Sequence, residues 1–419
     1  MSDRRFPPDF LWGAATAAHQ VEGGNFNSDC WALELAEPSL FAEPSGEAAD
    51  HYHRFAEDLD IVASLGLNAY RFSIEWARIE PERGEICEVA LDHYRRCVEQ
   101  CRARAIAPVV TFHHFTQPRW LARLGGLGAP EFPALFAEHC GRIALAIEGI
   151  AIACTINELN LPILAGRYFR DRAGPAQRAA AQLALGAPLS AFFLFAEEEA
   201  VLGNGLAAHR AARDAIRAAR PNLPVGMTLA ISEEAAEPGV EAHRDARRER
   251  FYAPFLDAAA GDDFVGIQTY SRTTSRADGS AGPARGAPLT SMGWEDRPEA
   301  LGEVCRWIAS RWRTPMIVTE NGYPGDDDAR RASFIAAAVD GLGAAVADGA
   351  DVRGYFYWSL LDNFEWLFGY GQRFGLVAVD RPSQQRRVKR STEVLRGLAA
   401  QLPGRPVREQ VDQRDILDS

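Results

Sequence analysis

The sequence predicts an α/β fold, a single (β/α)8 barrel over residues 1–419, on three observations. Eight short, apolar, β-rich runs recur along the chain. Amphipathic stretches with helical spacing lie between them, the pattern of parallel strands joined by crossover helices. The longest connections, 18–48, 158–188, 271–296 and 361–388, all follow strands, and long loops at that end build the active face of a barrel. A doubly wound open sheet would prefer a glycine-rich phosphate turn after its first strand, and AATAAHQVEGG is a poor one.

The elements follow in order. FLWGAATA (10–17) is the first strand. AADHYHRFAEDLDIVASLG places apolar residues at helical spacing and stops at Gly66, a C′ glycine. AYRFSI (69–74) is followed by a helix over 88–104, and APVVTFH (107–113) by one over 131–148. AIACTIN (151–157) precedes a long loop and a helix over 190–220. PVGMTLAI (224–231) leads to a helix over 244–259, whose Arg-rich HRDARRER (243–250) reads as a solvated face. FVGIQTY (264–270) precedes SRTTSRADGSAGPARGAP (271–288), read as a mobile surface loop, and a helix over 297–312. PMIVTEN (315–321) pairs with a helix over 327–347, and GYFYWSL (354–360) with one over 390–401. No linker divides the chain, and about 404–419 reads as a frayed polar tail.

Composition narrows the function. Hydrophobic residues make up 47% and charged residues 24%, which excludes collagen, coiled coil and wholesale disorder. The net charge of −12 argues against a nucleic-acid partner, since phosphates call for a basic face. Of 45 basic residues only Lys389 is a lysine, and it sits in RRVKRS, which reads as a solvated run. Lysine-dependent mechanisms such as Schiff-base chemistry or P-loop phosphate binding are therefore disfavoured. MSDRRFPPDFLW lacks the apolar core of a signal peptide. The nearest approach to a membrane span, 143–154, is short and broken by Glu148. Seven scattered cysteines (30, 87, 97, 101, 140, 154, 305) with no CxxC pair suit a reducing cytoplasm.

Chemistry is expected where strands end. The fourth strand ends in Asn157-Glu158 and the seventh in Thr319-Glu320-Asn321-Gly322. Strands four and seven lie on opposite sides of an eight-stranded barrel, so the two carboxyls can face each other. A gap of about 5 Å suits a retaining glycosidase and about 6.5–9.5 Å an inverting one. Two unrelated, solvated glutamates are the plain alternative. His93, Cys97 and Cys101 share a helical face at i, i+4, i+8, but the helix covers the barrel exterior and offers no fourth ligand, so no metal is expected. His51 and His53 open a helix and read as surface or core contacts.

The motifs FLWGAATAAHQVEGG, LGLNAYRFSIEWARIEP, VVTFHHFTQPRWL, TINE, DFVGIQTY, VTENGY and YFYWSLLDNFEW…RFGL occur in the order typical of family 1 glycoside hydrolases. The chain resembles this β-glucosidase family from about residue 6 to 400, and TENG and WSLLDNFEW are its most specific segments. The resemblance implies a cofactor-free retaining β-glycosidase acting on a small β-glycoside or oligosaccharide. It implies Glu320 as nucleophile, supported by Arg71 and the Tyr270 phenol, and Glu158 as acid/base. A nearby cation and a hydrogen bond to the charged form lower a carboxyl pKa, while an ionised neighbour keeps Glu158 protonated.

The same resemblance maps glycone contacts to Gln20, His114, Asn157 and Glu365, an aromatic floor and wall to Trp358 and Trp366, an apolar edge to Phe374, and the leaving-group entrance to Trp294. Relatives acting on 6-phosphorylated sugars usually lack the acid at 365 and carry a lysine in the nearby loop, which here reads FGYGQRFGL. The implied activity is β-glucosidase, with overlapping β-fucosidase or β-galactosidase activity. A 6-phospho-β-glucosidase and a catalytically inactive sugar-binding barrel are the rivals. Several positions depart from the family pattern: Glu75, Phe115, Leu159, Asn160 and Gln268. Asn160 stands where an aromatic is common, so the leaving-group wall is expected to depart from the family's, and Gln268 is expected to alter the hydrogen bonding of Glu158.

Overall fold

The computed structural model describes residues 6–400. Eight parallel strands form its centre: β1 (Leu11–Ala15), β2 (Ala69–Ser73), β3 (Ala107–His113), β4 (Ile152–Ile156), β5, β6 (Val265–Gln268), β7 (Met316–Asn321) and β8 (Val352–Trp358). β5 is split at Met227 into Val225–Gly226, paired with β4, and Thr228–Ala230, paired with β6. With β1 between β2 and β8, the ring closes. The pinch at β5 needs a glycine: a Cβ on Gly226 would sit 2.1 Å from the Phe264 carbonyl oxygen. A second close approach is at Gly322, where a Cβ would meet the Trp358 carbonyl oxygen at 1.9 Å, so TENG lets β7 leave the barrel beside the end of β8.

Strand alternation sorts the core. Inside the barrel lie Ala15, Ala69, Val109, Cys154, Ile317 and Phe356. On the outer face Trp12, Tyr70, Val110, Ala153, Val318 and Tyr355 pack under the helices. Period two along β2 therefore sends Arg71, two residues after Ala69, into the interior, where it is fully buried. The outer helices obey the 3.6 period. His51–Ser64 buries Asp58, Leu59 and Val62, and its chain is turned by Gly66 at φ +72°. In Glu241–Phe251 no residue is fully buried, but HRDARRER is only partly solvated: Arg247 donates to both oxygens of the buried Glu234, at 2.7 and 2.9 Å.

Five readings need correction. The 190–220 helix begins only at Glu198, because Phe192, Phe193 and Phe195 are all buried in short 3-10 turns, which a one-sided helix cannot achieve. The 244–259 helix is two helices, Glu241–Phe251 and Ala253–Ala258, with Pro254 in the first turn of the second. The 158–188 loop contains helices Leu161–Arg172 and Pro175–Leu185, each started by a proline in its first turn. Within 271–288, Arg272–Ser275 and Ala281–Gly282 join Glu233–Ala236 in a small three-stranded sheet. Lys389 is not solvated: a hairpin (Val377–Asp380, Gln385–Val388) returns it to donate to Asp362 Oδ1 at 2.8 Å, and the pair is only 14% and 13% exposed. The 404–419 tail lies outside the described residues.

Candidate active site

Glu320 lies in β7, and its aim is not what simple alternation dictates. Ile317 faces inward, so strict parity would turn Glu320 outward. The β7 register shifts against β6 between Val318 and Glu320, and against β8 between Val318 and Asn321. This irregularity re-aims the side chain into the barrel mouth. There Glu320 Oε1 accepts from Arg71 Nη1 at 2.6 Å and from Gln268 Nε2 at 2.9 Å. Its Oε2 accepts from the Tyr270 hydroxyl at 2.6 Å.

Glu158 follows β4 with φ +45°, a left-handed conformation rare outside glycine. Its backbone N–H donates to Thr228 Oγ1 at 3.2 Å, and Leu161 N–H donates back to its carbonyl at 2.8 Å. Its carboxyl receives no protein hydrogen bond among the described residues. Asn157, one residue earlier, accepts at Oδ1 from Arg71 Nη2 (2.5 Å), Gln268 Nε2 (2.9 Å) and Thr228 Oγ1 (3.2 Å). Its Nδ2 is thereby turned to His114 Nε2 at 3.1 Å.

These environments separate the two carboxyls. Burial pushes Glu320 above its ordinary value, and the Arg71 guanidinium and Tyr270 phenol pull it back. Burial pushes Glu158 far higher, the charge of Glu320 adds to that, and Arg71 alone opposes before Glu365 adds again. A single proton shared by the pair therefore rests on Glu158. Burial and the charge of Glu320 also hold the Tyr270 phenol protonated, well above its usual range.

The remaining residues expected in the pocket surround this pair. Gln20 Nε2 donates to the Phe364 carbonyl (2.7 Å), Asn363 Oδ1 (3.2 Å) and Glu365 Oε2 (3.3 Å), leaving its Oε1 without a protein partner. His114 Nδ1 also lacks one. Burial, with the charge of Arg71, keeps His114 neutral. Trp366, His114 and Trp358 form a near-parallel stack, His114 lying 6.1 Å from Trp366 and 5.7 Å from Trp358. His19 extends it from the other side of Trp366 at 5.7 Å. Across the mouth Tyr270, Trp294 and Phe374 form a triangle with centroids 5.5–6.2 Å apart. Burial and the charge of Glu320 push Glu365 up to about 8.

The structure gives two of the departures a place. Asn160 is fully buried. Its amide brackets the end of β5, donating to the Ala230 carbonyl (2.7 Å) and the Phe251 carbonyl (3.2 Å) and accepting from Ala230 N–H (3.0 Å). Gln268 bonds Glu320 and Asn157 rather than the Glu158 carboxyl. Sequence reasoning missed Thr228, His19 and Asn363, and a threonine inside an apolar strand gives no signal of its own. His93, Cys97 and Cys101 do line one buried face, where His93 stacks on Tyr52 at 3.8 Å. The ligand-type side chains that do converge within 4.8 Å, among the described residues, are His19, Cys30 and Glu34. Both oxygens of Glu34 are already engaged, by His19 at 2.5 Å and by Ser45 at 2.5 and 2.6 Å.

A closed (β/α)8 barrel with paired glutamates and aromatic walls at its mouth defines a barrel glycoside hydrolase. The profile described as glycosyl hydrolase family 1 matches residues 2–250 and 258–401, and the chain belongs to that family. Beta-glucosidase A of Thermotoga maritima is 32% identical over 93% of this chain and 97% of its own. The crystal structure of beta-glycosidase BGL167 superposes with a TM-score of 0.91 at 47% identity, covering 97% of this chain and all of that one. The Thermotoga maritima beta-glucosidase in complex with noeuromycin superposes with a TM-score of 0.84 at 27% identity, covering 96% and 99%.

Proposed function

We propose that this glycoside hydrolase is a retaining β-glucosidase, with β-fucoside and β-galactoside as overlapping substrates. The observation that carries the reading is the unequal provision of donors: three side chains donate to Glu320 and none to the Glu158 carboxyl. Ionised Glu320 attacks the anomeric carbon and forms a C1–O bond. As the bond from C1 to the leaving oxygen breaks, Glu158 gives that oxygen its proton. Once Glu320 is esterified its charge is gone, and Glu158 no longer needs to hold a proton. Glu158 then takes a proton from water, the water oxygen bonds to C1, and the ester C1–O bond breaks to free Glu320.

Gln20, His114, Asn157 and Glu365 supply polar atoms for the glycone hydroxyls, two of them unpartnered within the protein. Trp358 and Trp366 supply the apolar faces, and Trp294 with Phe374 the entrance. Glu365 and the absence of lysine from residues 368–376 favour a neutral glycone over a 6-phosphorylated one. Seven free cysteines support a reducing, cytoplasmic setting, and the closed ring supports one catalytic domain. No described helix is long and apolar enough to cross a membrane.

The test is covalent trapping. A 2-deoxy-2-fluoro-β-glucoside with a good leaving group should label the protein on the peptide bearing Glu320. Labelling elsewhere, or turnover of a 6-phosphoglucoside in preference to the neutral glucoside, would overturn the reading.

A further inference from the structure

Gln268 sits at the end of β6, between the two strand ends that carry the glutamates. Its Nε2 is within 2.9 Å of both Glu320 Oε1 and Asn157 Oδ1, and 3.3 Å from Thr228 Oγ1. The two first partners are acceptors only, which fixes the amide with its nitrogen toward them. Its two N–H groups are thus divided between β7 and the residue preceding Glu158. Its carbonyl oxygen is buried with no protein partner, so the side chain is held in place by its donors alone. Gln268 itself is 1% exposed.

We infer that Gln268 is a positioning residue for the proposed reaction, the third donor that keeps Glu320 ionised. The inference rests on the nucleophile role of Glu320 given above. Arg71 comes from β2, His114 follows β3, Cys154 lies in β4 and Glu158 follows it, Tyr270 follows β6, and Glu365 follows β8. Arg71 is the one cation among them, and one of its nitrogens serves Asn157 rather than Glu320. His114 is neutral, Cys154 is a buried thiol, and Glu158 and Glu365 work against a second charge. The Gln268 amide therefore adds stabilisation of the ionised form that no other group around Glu320 can replace. It does so without adding a charge that would pull the proton off Glu158, as a second cation would.

The experiment follows inactivation by 2-deoxy-2-fluoro-β-glucosyl fluoride across pH. Fluoride needs little help from an acid on leaving, so the acid limb of this profile reads the ionisation of Glu320. Gln268→Met keeps the size and removes both donors. The acid limb should move up by about one pH unit, with inactivation about ten-fold slower below it and within a few-fold of wild type on the plateau. Gln268→Leu, which also lacks both donors, should move the limb by about as much as Met. Both variants are first checked for wild-type circular dichroism and cooperative melting. If folded variants keep the limb within 0.2 units of wild type, the inference falls. It also falls if only the alkaline limb moves, which would make Gln268 a partner of Glu158, or if neither variant folds, which would make it a structural residue. Failure of the wild type to label at Glu320 would overturn the nucleophile reading itself, a result distinguishable from all of these.

Discussion

Replacing Glu365 by glutamine is expected to stabilise the folded protein, and to do so only where the carboxyl would otherwise be charged. Glu365 follows β8, receives one weak donor from Gln20 at 3.3 Å, and has no cationic partner among the described residues. Burial and the charge of Glu320 push it from an ordinary 4.5 up to about 8. A carboxyl whose pKa rises on folding favours the fold when protonated. Its contribution is complete below about pH 4.5, is lost progressively as pH rises toward about 8, and is flat beyond. The interval spans roughly 3.5 pH units, which at about 1.36 kcal/mol per unit sets a ceiling of about 5 kcal/mol.

Part of the Glu365 side chain stays open at the pocket, so solvent screens the charge and the gain should reach about 2–3 kcal/mol. With roughly 2.1 cal/mol/K of unfolding entropy per residue, a chain of this length shifts about 1 °C per kcal/mol. Glu365→Gln should therefore melt within 1 °C of wild type near pH 4.5 and about 2–3 °C above it at pH 8–9, at one fixed scan rate. A difference that stays constant from pH 4.5 to 9, or a variant less stable throughout, would refute the reasoning. The same variant should lose activity on a neutral glucoside, because a charged acceptor for sugar hydroxyls is gone.

Three further outcomes are expected. Glu320→Gly should lose nearly all turnover, and azide or formate filling the vacated space should restore part of it with an inverted product, detected by NMR; near-normal activity without added anion would remove Glu320 as nucleophile. Glu158→Ala should reduce kcat/KM far more for alkyl glucosides than for dinitrophenyl glucoside, since only the former need a proton on leaving; equal losses would exclude Glu158 as the acid. Lys389→Met leaves Asp362 with one backbone donor, Gly375 N–H at 2.8 Å, and should cost about 2–3 kcal/mol, read as a fall in the urea midpoint; an unchanged midpoint would show that the pair contributes nothing.

What the sequence disclosed follows the range of the physics involved. All eight strands were legible because alternation and β-branched runs are local. Parity along AYRFS even places Arg71 inside. The two helices within 161–185 have only local punctuation, Pro162, Pro175 and Gly186, to mark them in a segment that otherwise reads as loop. The inward turn of Glu320 was not legible from β7 alone, since parity from Ile317 contradicts it and the register shift depends on neighbouring strands. The places of Asn160 and Lys389 are not legible for the same reason: their partners, Ala230, Phe251 and Asp362, lie 70, 91 and 27 residues away. A basic run looks solvated until the chain brings an acid to it.

The three glutamates of the mouth make the point most sharply. Glu158, Glu320 and Glu365 each sit at or beyond a strand end, and nothing local to them orders their acidity. Donors from elsewhere do. Glu320 receives a guanidinium from β2 and a phenol and an amide from the end of β6, Glu365 one distant amide from the short helix after β1, and Glu158 none. With Arg71 the one cation among them, the charge settles where the donors are densest and the proton where they are absent. A pyranose entering this mouth brings hydroxyl donors to Glu365 and leaves the donor count on Glu158 unchanged. Binding should then draw Glu365 toward its ionised form, and the added negative charge should hold the proton on Glu158 more firmly until the glycosidic oxygen takes it.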